Sequence, residues 1–161
     1  MKEYGKFKEI CPFPVYSYEL ESWDGLIDLS VKSDNFVLLL LADYSKISLE
    51  DIAKVAKILI DKGLKYICCW GPESTVGDSG FDQGNVEWEE ENNTELHVMS
   101  TWHDEPLADA VWFCLYNATP EDEYWSSCSA VIVNINSEAS PEELNRLLSD
   151  VEYLNNEAND T

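Results

Sequence analysis

Basic residues are scarce in this sequence and almost absent from its later part. Residues 1–65 contain nine lysines and eleven acidic residues, whereas residues 66–161 contain one basic residue, Arg146, and twenty-one acidic ones, so the later part carries −20 of the formal net charge of −22. A protein surface needs Lys and Arg to neutralise phosphates, which excludes nucleic acid as a ligand of this part. The electrostatic field of these acids would attract a basic protein and speed its association with this part. In the alternative interpretation, the acids only keep a small bacterial protein soluble.

Long apolar runs are also missing. The longest, Phe36–Ala42, has seven residues, whereas a membrane-spanning helix needs about 20. Residues 1–8 are polar and of mixed charge, without the basic and apolar regions of a signal peptide. We therefore expect no membrane association and a cytoplasmic location.

The sequence lacks the common motifs for binding metals and phosphates. Its five cysteines are odd in number and show no Cys-x-x-Cys or Cys/His spacing, which favours reduced thiols over a disulfide framework or a zinc site. Cys68 and Cys69 would point to opposite faces of one strand and could not ligate one ion together. The glycines after Trp70 form neither a Gly-x-Gly-x-x-Gly nor a Walker pattern. The sequence predicts no metal and no cofactor.

What the sequence does contain is a strand, a helix and a second strand between Phe36 and Gly71. The run Phe36–Ala42 has no polar alternation, which is typical of a parallel strand covered on both faces. Ser48 offers an N-cap for a helix whose apolar residues recur at three- and four-residue spacing, and Gly63 can end that helix in a left-handed conformation. Tyr66 then begins the next strand. This unit predicts a parallel sheet covered by helices.

Weaker patterns complete the predicted fold. We predict an N-terminal edge strand or strap at residues 15–20 and a short helical turn at residues 23–30. A third strand follows at residues 95–101, a helix at residues 107–118, a fourth strand at residues 129–136 and a final helix, capped by Ser140, at residues 141–154. Pro106 is expected at the first position of the helix after the third strand, with Asp104 or Glu105 as its cap. The fold class is thus α/β: a single three-layer domain over residues 1–161, with a mostly parallel central sheet of about four strands flanked by helices and a possible N-terminal edge strand. Residues 1–9 and 155–161 are expected to be loosely ordered.

Residues 72–95 are rich in Gly, Ser, Asp and Glu and have few apolar anchors. This composition predicts a long crossover loop, with a short helix at residues 81–90. A loop of this length is typical of an active-site flap or a partner-binding segment.

The densest group of chemically capable side chains follows the third strand: His103, Asp104 and Glu105. In one interpretation, His103 is an exposed turn residue and the acids cap the next helix. In the other, His103 and one of the acids form a base and its orienting partner, or part of a metal site. Ligands of doubly wound sheets bind outside the carboxyl ends of the strands, which is where we expect a cluster of six side chains. Its members are Asp43, Trp70, Glu73, His103, Asn134 and Asn136.

Several short segments resemble a family of uncharacterised bacterial α/β domains. The matching features are a Trp-Gly strand end at Trp70 and Gly71, a TxWHxxEPL-like segment at residues 101–107, and an aromatic-rich helix with Trp112 and Phe113. The similarity extends over about half of the chain. It implies an α/β domain and carries no known activity, substrate or catalytic residue.

Two functions remain open. The first is a non-enzymatic protein that binds a basic protein partner, such as an immunity protein or inhibitor that sequesters a toxin, because acids lie beside aromatic anchors. The predicted partner-binding residues are Glu87, Trp88, Glu89, Glu90, Glu91, Glu121, Asp122, Glu123, Tyr124 and Trp125. The alternative is a small hydrolase or nucleotide-binding enzyme that uses the group around His103 and Asp43. We favour the first because no complete catalytic constellation is visible in the sequence.

Overall fold

Two strands that are buried on both faces form the centre of the molecule. The computed structural model describes residues 1–5, 7 and 11–158. In it, β3 (Asn35–Leu41) lies beside β6 (Cys128–Ile135), and every residue of these strands except Asn35 is buried. Each strand is an apolar run without polar alternation, as a parallel strand covered on both sides requires. The predicted central strand and fourth strand are confirmed.

The sequence predicts about four strands and a possible N-terminal edge strand, and the sheet has six strands, in the order β1-β2-β6-β3-β4-β5. The remaining strands are β1 (Lys2–Tyr4), β2 (Val15–Leu20), β4 (Leu64–Trp70) and β5 (Met99–His103). All neighbours are parallel except β1 and β2. The predicted edge strand at residues 15–20 is therefore an inner strand, because β1 pairs with its outer side. The mostly parallel α/β class is confirmed.

Helices cover both faces of the sheet. One layer contains α1 (Leu49–Asp61) and α2 (Ser74–Asn92), and the other contains α3 (Leu107–Asn117), α4 (Pro141–Ser149) and α5 (Val151–Ala158). Alternate residues of each strand enter the two cores, so Cys68 faces the α3 layer and Cys69 the α1 layer. The predicted opposite orientation of these two thiols is confirmed.

The first helix begins and ends where its sequence signals lie. The Ser48 hydroxyl accepts a hydrogen bond from the Asp51 N–H at 3.1 Å, and Gly63 has a φ of +110° just beyond the last turn. Ser140 caps α4 in the same way, through the Glu143 N–H. By contrast, Pro106 is the N-cap of α3 rather than its first residue, and no side chain caps that helix, so neither Asp104 nor Glu105 has the predicted capping role.

The predicted short helix at residues 81–90 lies inside the 19-residue helix α2, but the prediction of a loop over the rest of residues 72–95 is wrong, because α2 occupies most of this segment. Gly77, Gly80 and Gly84 all face inward. A Cβ added to Gly77 would lie 2.4 Å from a Tyr44 ring carbon. A Cβ added to Gly80 would lie 2.5 Å from Ile52 Cγ2, and one added to Gly84 would lie 2.5 Å from the Ala56 Cβ. Gly80 and Gly84 therefore let α2 pack closely on α1, and Gly77 lets it pack on Tyr44, although each glycine has a helix propensity about 1 kcal/mol lower than that of alanine.

Three further differences concern strand and helix ends. The predicted third strand at residues 95–101 is found four residues later as β5, and the predicted final helix is broken at Asp150 into α4 and α5. The expected loose termini contain β1 and the end of α5, while residues 6, 8, 9 and 159–161 lie outside the described residues. Among the helices that the structure describes, none is both long and apolar enough to cross a bilayer.

Candidate functional site

A cavity of about 410 Å³ opens at the carboxyl ends of β4 and β5. It is lined by residues 70–75, residues 102–105 and Glu138. This is the position at which ligands bind in open α/β sheets. The structure thus brings together the predicted Trp70, Glu73 and His103, and it adds Glu138 from the loop after β6, which no sequence pattern indicated.

Three of the side chains expected in the cluster have other roles. Asp43 does not line the cavity; its carboxylate accepts hydrogen bonds from the N–H and hydroxyl of Ser45 at 3.0 and 2.6 Å, and these bonds lower its pKa. Asn134 is buried and bonds to Ser137 and Ala139 in the following loop. Asn136 donates to a backbone carbonyl on the β2 side. The carboxyl ends of β3 and β6 are therefore occupied by local hydrogen bonds.

His103 is not an exposed turn residue, because only 6% of its surface is accessible. Its Nδ1 lies 2.7 Å from Glu105 Oε1, its Nε2 lies 2.7 Å from Thr101 Oγ1, and its ring packs against Phe113 at 4.7 Å. Burial lowers the pKa of His103, but hydrogen bonds to Cys68 and Glu105 outweigh burial and raise it above its usual value. A raised pKa leaves a smaller fraction of the imidazole in the unprotonated form that a general base requires.

The sequence missed two neighbours of His103, namely Cys68 and Thr101. In the parallel β4–β5 pair, Cys68 lies opposite Thr101 and Trp70 opposite His103, so all four share the face covered by α3. Burial raises the pKa of Cys68, but hydrogen bonds with Cys114, His103 and Thr101 outweigh it and lower the pKa to about 6. The thiol is nevertheless 0% exposed, so no substrate reaches it in this conformation. Only the strand register reveals this cluster.

The loop between β4 and α2 is held in an unusual conformation. Gly71 and Glu73 have φ values of +129° and +59°, and non-glycine residues at positive φ are uncommon outside functional or tightly constrained segments. Two hydrogen bonds tie this region to the β5 end: Trp70 Nε1 donates to the Glu105 carbonyl at 2.8 Å, and the Ser74 hydroxyl donates to the His103 carbonyl at 3.4 Å. The cavity wall is thereby fixed from both strands.

The chemistry of the cavity suits a cationic group. Its lining combines two tryptophans with four carboxylates and contains no lysine or arginine. Tryptophan faces and carboxylates both attract ammonium and guanidinium groups. No group of three or more His, Cys, Asp or Glu side chains that could hold a metal ion occurs within the described residues.

Replacing Glu105 by glutamine is expected to lower the pKa of His103. The substitution keeps the size of the side chain and removes the charge that stabilises the imidazolium. The His103 titration can be followed by NMR of its ring protons, with Asp104→Asn as the control, because Asp104 is the adjacent exposed acid. A His103 pKa at or below 6.5 in the native protein, or one unchanged by Glu105→Gln, would contradict this assignment and leave His103 available as a base.

A second concave surface lies at the other end of β5. This acidic groove of about 550 Å³ runs between α2 and the segment before the 3₁₀ helix Asp122–Ser127. Asp82 and Glu121 are its carboxylates and Lys65 its one lysine; of the predicted partner-binding residues, only Glu121 lines it. Glu90 and Glu95 border a depression that continues from Val86, and Glu95, Glu121 and Glu123 border another beside Tyr124.

Several predicted partner-binding side chains bond within the protein instead. Glu87 and Glu91 pair with Lys57 at 3.6 and 2.9 Å, Trp88 donates to Asp61, and Glu89 binds Asn85 and the Leu96 N–H. Trp125 donates to the Pro120 carbonyl and packs on Phe13, although 39% of it remains exposed. The exposed carboxylates of the groove are therefore Asp82 and Glu121, and the two depressions beside it add Glu90, Glu95 and Glu123.

A family model described as "Domain of unknown function (DUF7684)" matches residues 17–151. The chain belongs to this family. The match runs from β2 to the first residue of α5 and includes both the cavity and the acidic groove, so both concave surfaces are parts of the DUF7684 domain. No curated protein and no solved structure matches the chain. Membership agrees with the resemblance to an uncharacterised family, and the DUF7684 description adds no activity.

Proposed function

We propose that this protein is an acidic, non-enzymatic binding protein that sequesters a basic protein partner, as an immunity protein or a toxin inhibitor does. The observation that carries the proposal is the acidic groove beside β5. The part of α2 around Asp82 and the segment that ends at Glu121 line the groove, and both of these acids are exposed. A concave surface of one charge sign attracts a partner of the opposite sign and orients it before contact.

Aromatic side chains at the groove add contact area to this attraction. Tyr124 is partly exposed and Trp125 is 39% exposed, and both stand beside the acidic residues of the 3₁₀ helix. Aromatic anchors carry much of the energy in protein interfaces, whereas surrounding charges mainly govern specificity and association rate. The groove also contains one lysine, Lys65, which lies 4.5 Å from the Tyr124 ring centroid and stands against the carboxylates of Asp82 and Glu121.

Neutralising the groove is expected to slow association with the partner. The partner is captured from the native cytoplasm at low and high salt, and its association rate is then measured. The variant Glu90→Gln/Glu95→Gln/Glu121→Gln should reduce that rate about tenfold at low ionic strength, because electrostatic steering is lost. The control Glu21→Gln/Asp24→Asn/Asp28→Asn removes the same charge from exposed positions between β2 and β3. An association rate that responds neither to salt nor to the groove variant would remove the basis of the proposal.

We further propose a cytoplasmic location and no nucleic-acid ligand. The five cysteines are buried free thiols, which suits a reducing compartment. Residues 66–161 offer a single arginine for phosphate contacts.

A small hydrolase or nucleotide-binding enzyme remains the second candidate. One observation favours it: Thr101, His103 and Glu105 form a continuous hydrogen-bonded chain beside a cavity, which is the order of a nucleophile, a base and an orienting acid. Thr101 does not line that cavity, however, and the raised pKa of His103 opposes a base role. The His103 titration described above separates the two candidates.

A further inference from the structure

The outer edge of β5 is an open strand edge. Among the described residues, β5 pairs only with β4 and is the last strand of the sheet. Its second edge therefore presents backbone N–H and C=O groups without a strand partner. Such an edge is a template for pairing with another extended chain.

The devices that usually protect an edge are missing from β5. The strand Met99–His103 contains no proline and no lysine, and its Met99 and Trp102 side chains are 58% and 48% exposed. The opposite edge differs, because β1 has only three residues and begins with Lys2. Short strands and edge lysines are common means of preventing strand addition.

Both ends of the open edge lead into acidic concave surfaces. Met99 lies in the acidic groove together with Asp82 and Glu121, and Trp102 lies in the cavity together with Glu73 and Glu138. Five residues of extended chain span about 17 Å, so a segment paired along β5 would place its two ends in these two surfaces. Basic side chains at those ends would meet carboxylates.

We propose that β5 receives an extended, basic segment of the partner protein as an additional strand of the sheet. Backbone hydrogen bonds along β5 hold the segment, Met99 and Trp102 contact its apolar side chains from opposite faces of the sheet, and the flanking carboxylates select lysine and arginine. This inference rests on the proposed function, and it requires that the segment of the partner bound by β5 be extended. An interface made of surface charge alone would have no such requirement.

The test uses two ten-residue peptides that alternate lysine and valine. One is unmodified, and the other carries N-methyl groups on the residues of both edges, which removes the backbone donors from either edge and keeps the side chains and the charge. At low ionic strength the unmodified peptide should bind the full-length protein at least about tenfold more tightly, since two or more hydrogen bonds are lost in the methylated one. It should also slow amide hydrogen exchange in residues 99–103.

A pair of variants locates the binding. Met99→Lys/Trp102→Lys places two cations on the edge and should weaken binding of the unmodified peptide at least about tenfold. Ile27→Lys is the control, because Ile27 is an exposed apolar residue of similar accessibility, 44%, on the connection between β2 and β3. Equal binding of the two peptides, no binding of either, or equal effects of the edge and control variants would overturn strand addition. Equal binding that is abolished by salt would overturn it while supporting an electrostatic partner site.

Discussion

Replacing Gly71 by alanine is expected to lower the free energy of unfolding by at least about 2 kcal/mol. Gly71 has a φ of +129°, which L-residues rarely adopt, and such strain costs about 1–3 kcal/mol. A Cβ at this position would lie 1.8 Å from the Ala42 carbonyl oxygen. Overpacking adds about 1–3 kcal/mol.

The backbone around Gly71 cannot easily relieve this clash. The Ala42 N–H donates to the Trp70 carbonyl at 3.1 Å, and the Tyr44 N–H donates to the Pro72 carbonyl at 2.9 Å, so the ends of β3 and β4 are tied together on both sides of the contact. Urea unfolding of the wild type and Gly71→Ala measures the effect. Gly5→Ala is the control, because a Cβ there meets no described atom within 4 Å. A loss below about 1 kcal/mol would show that this corner is more deformable than the hydrogen bonds imply.

Replacing Gly84 by alanine is expected to destabilise the protein by about 2 kcal/mol, although alanine is the better helix former. Helix propensity alone would favour alanine by about 1 kcal/mol. At Gly84, however, a Cβ would lie 2.5 Å from the Ala56 Cβ and 2.7 Å from the Ala53 carbonyl oxygen. Neither of these two atoms is the end of a flexible side chain, so α1 and α2 must move apart. The free energy lost from packing then exceeds the free energy gained from the higher helix propensity of alanine.

The neighbouring position supplies the matched control for this prediction. Gln83 is an exposed residue of the same helix, so Gln83→Ala changes helix propensity without touching α1. Unfolding in urea should show Gly84→Ala clearly less stable than the wild type and Gln83→Ala nearly unchanged. A Gly84→Ala protein more stable than the wild type would mean that the two helices lie farther apart in solution.

The parts of the fold that sequence reasoning predicted are those with local causes. The buried strand at Phe36–Ala42 follows from its unbroken apolar run, and α1 follows from the Ser48 cap and the terminal Gly63. The helix α2 was missed because its glycines break helices when considered locally and permit close helix packing only when a partner is present. No pattern within residues 72–95 specifies that partner.

Some residues of the candidate site were likewise predictable from the sequence, and others were not. The position of His103 near the end of a strand was predictable from the chain, as was its neighbour Glu105. The contact with Cys68 depends on which residue of β4 faces which residue of β5, and the predicted strand lay four residues too early. A shift in register changes every cross-strand neighbour, so the cluster could not be derived before the pairing was known.

An open strand edge also invites self-association, and the charges beside β5 bear on this. Two copies that joined edge to edge in a symmetric contact would pair their β5 strands antiparallel, so Asp82 and Glu121 of each copy would lie beside Glu73 and Glu138 of the other. Like charges at such close range repel, and the formal charge of −22 on each copy adds to the repulsion. The carboxylates thus leave the β5 edge available to a cationic chain and keep identical molecules from associating with each other through it.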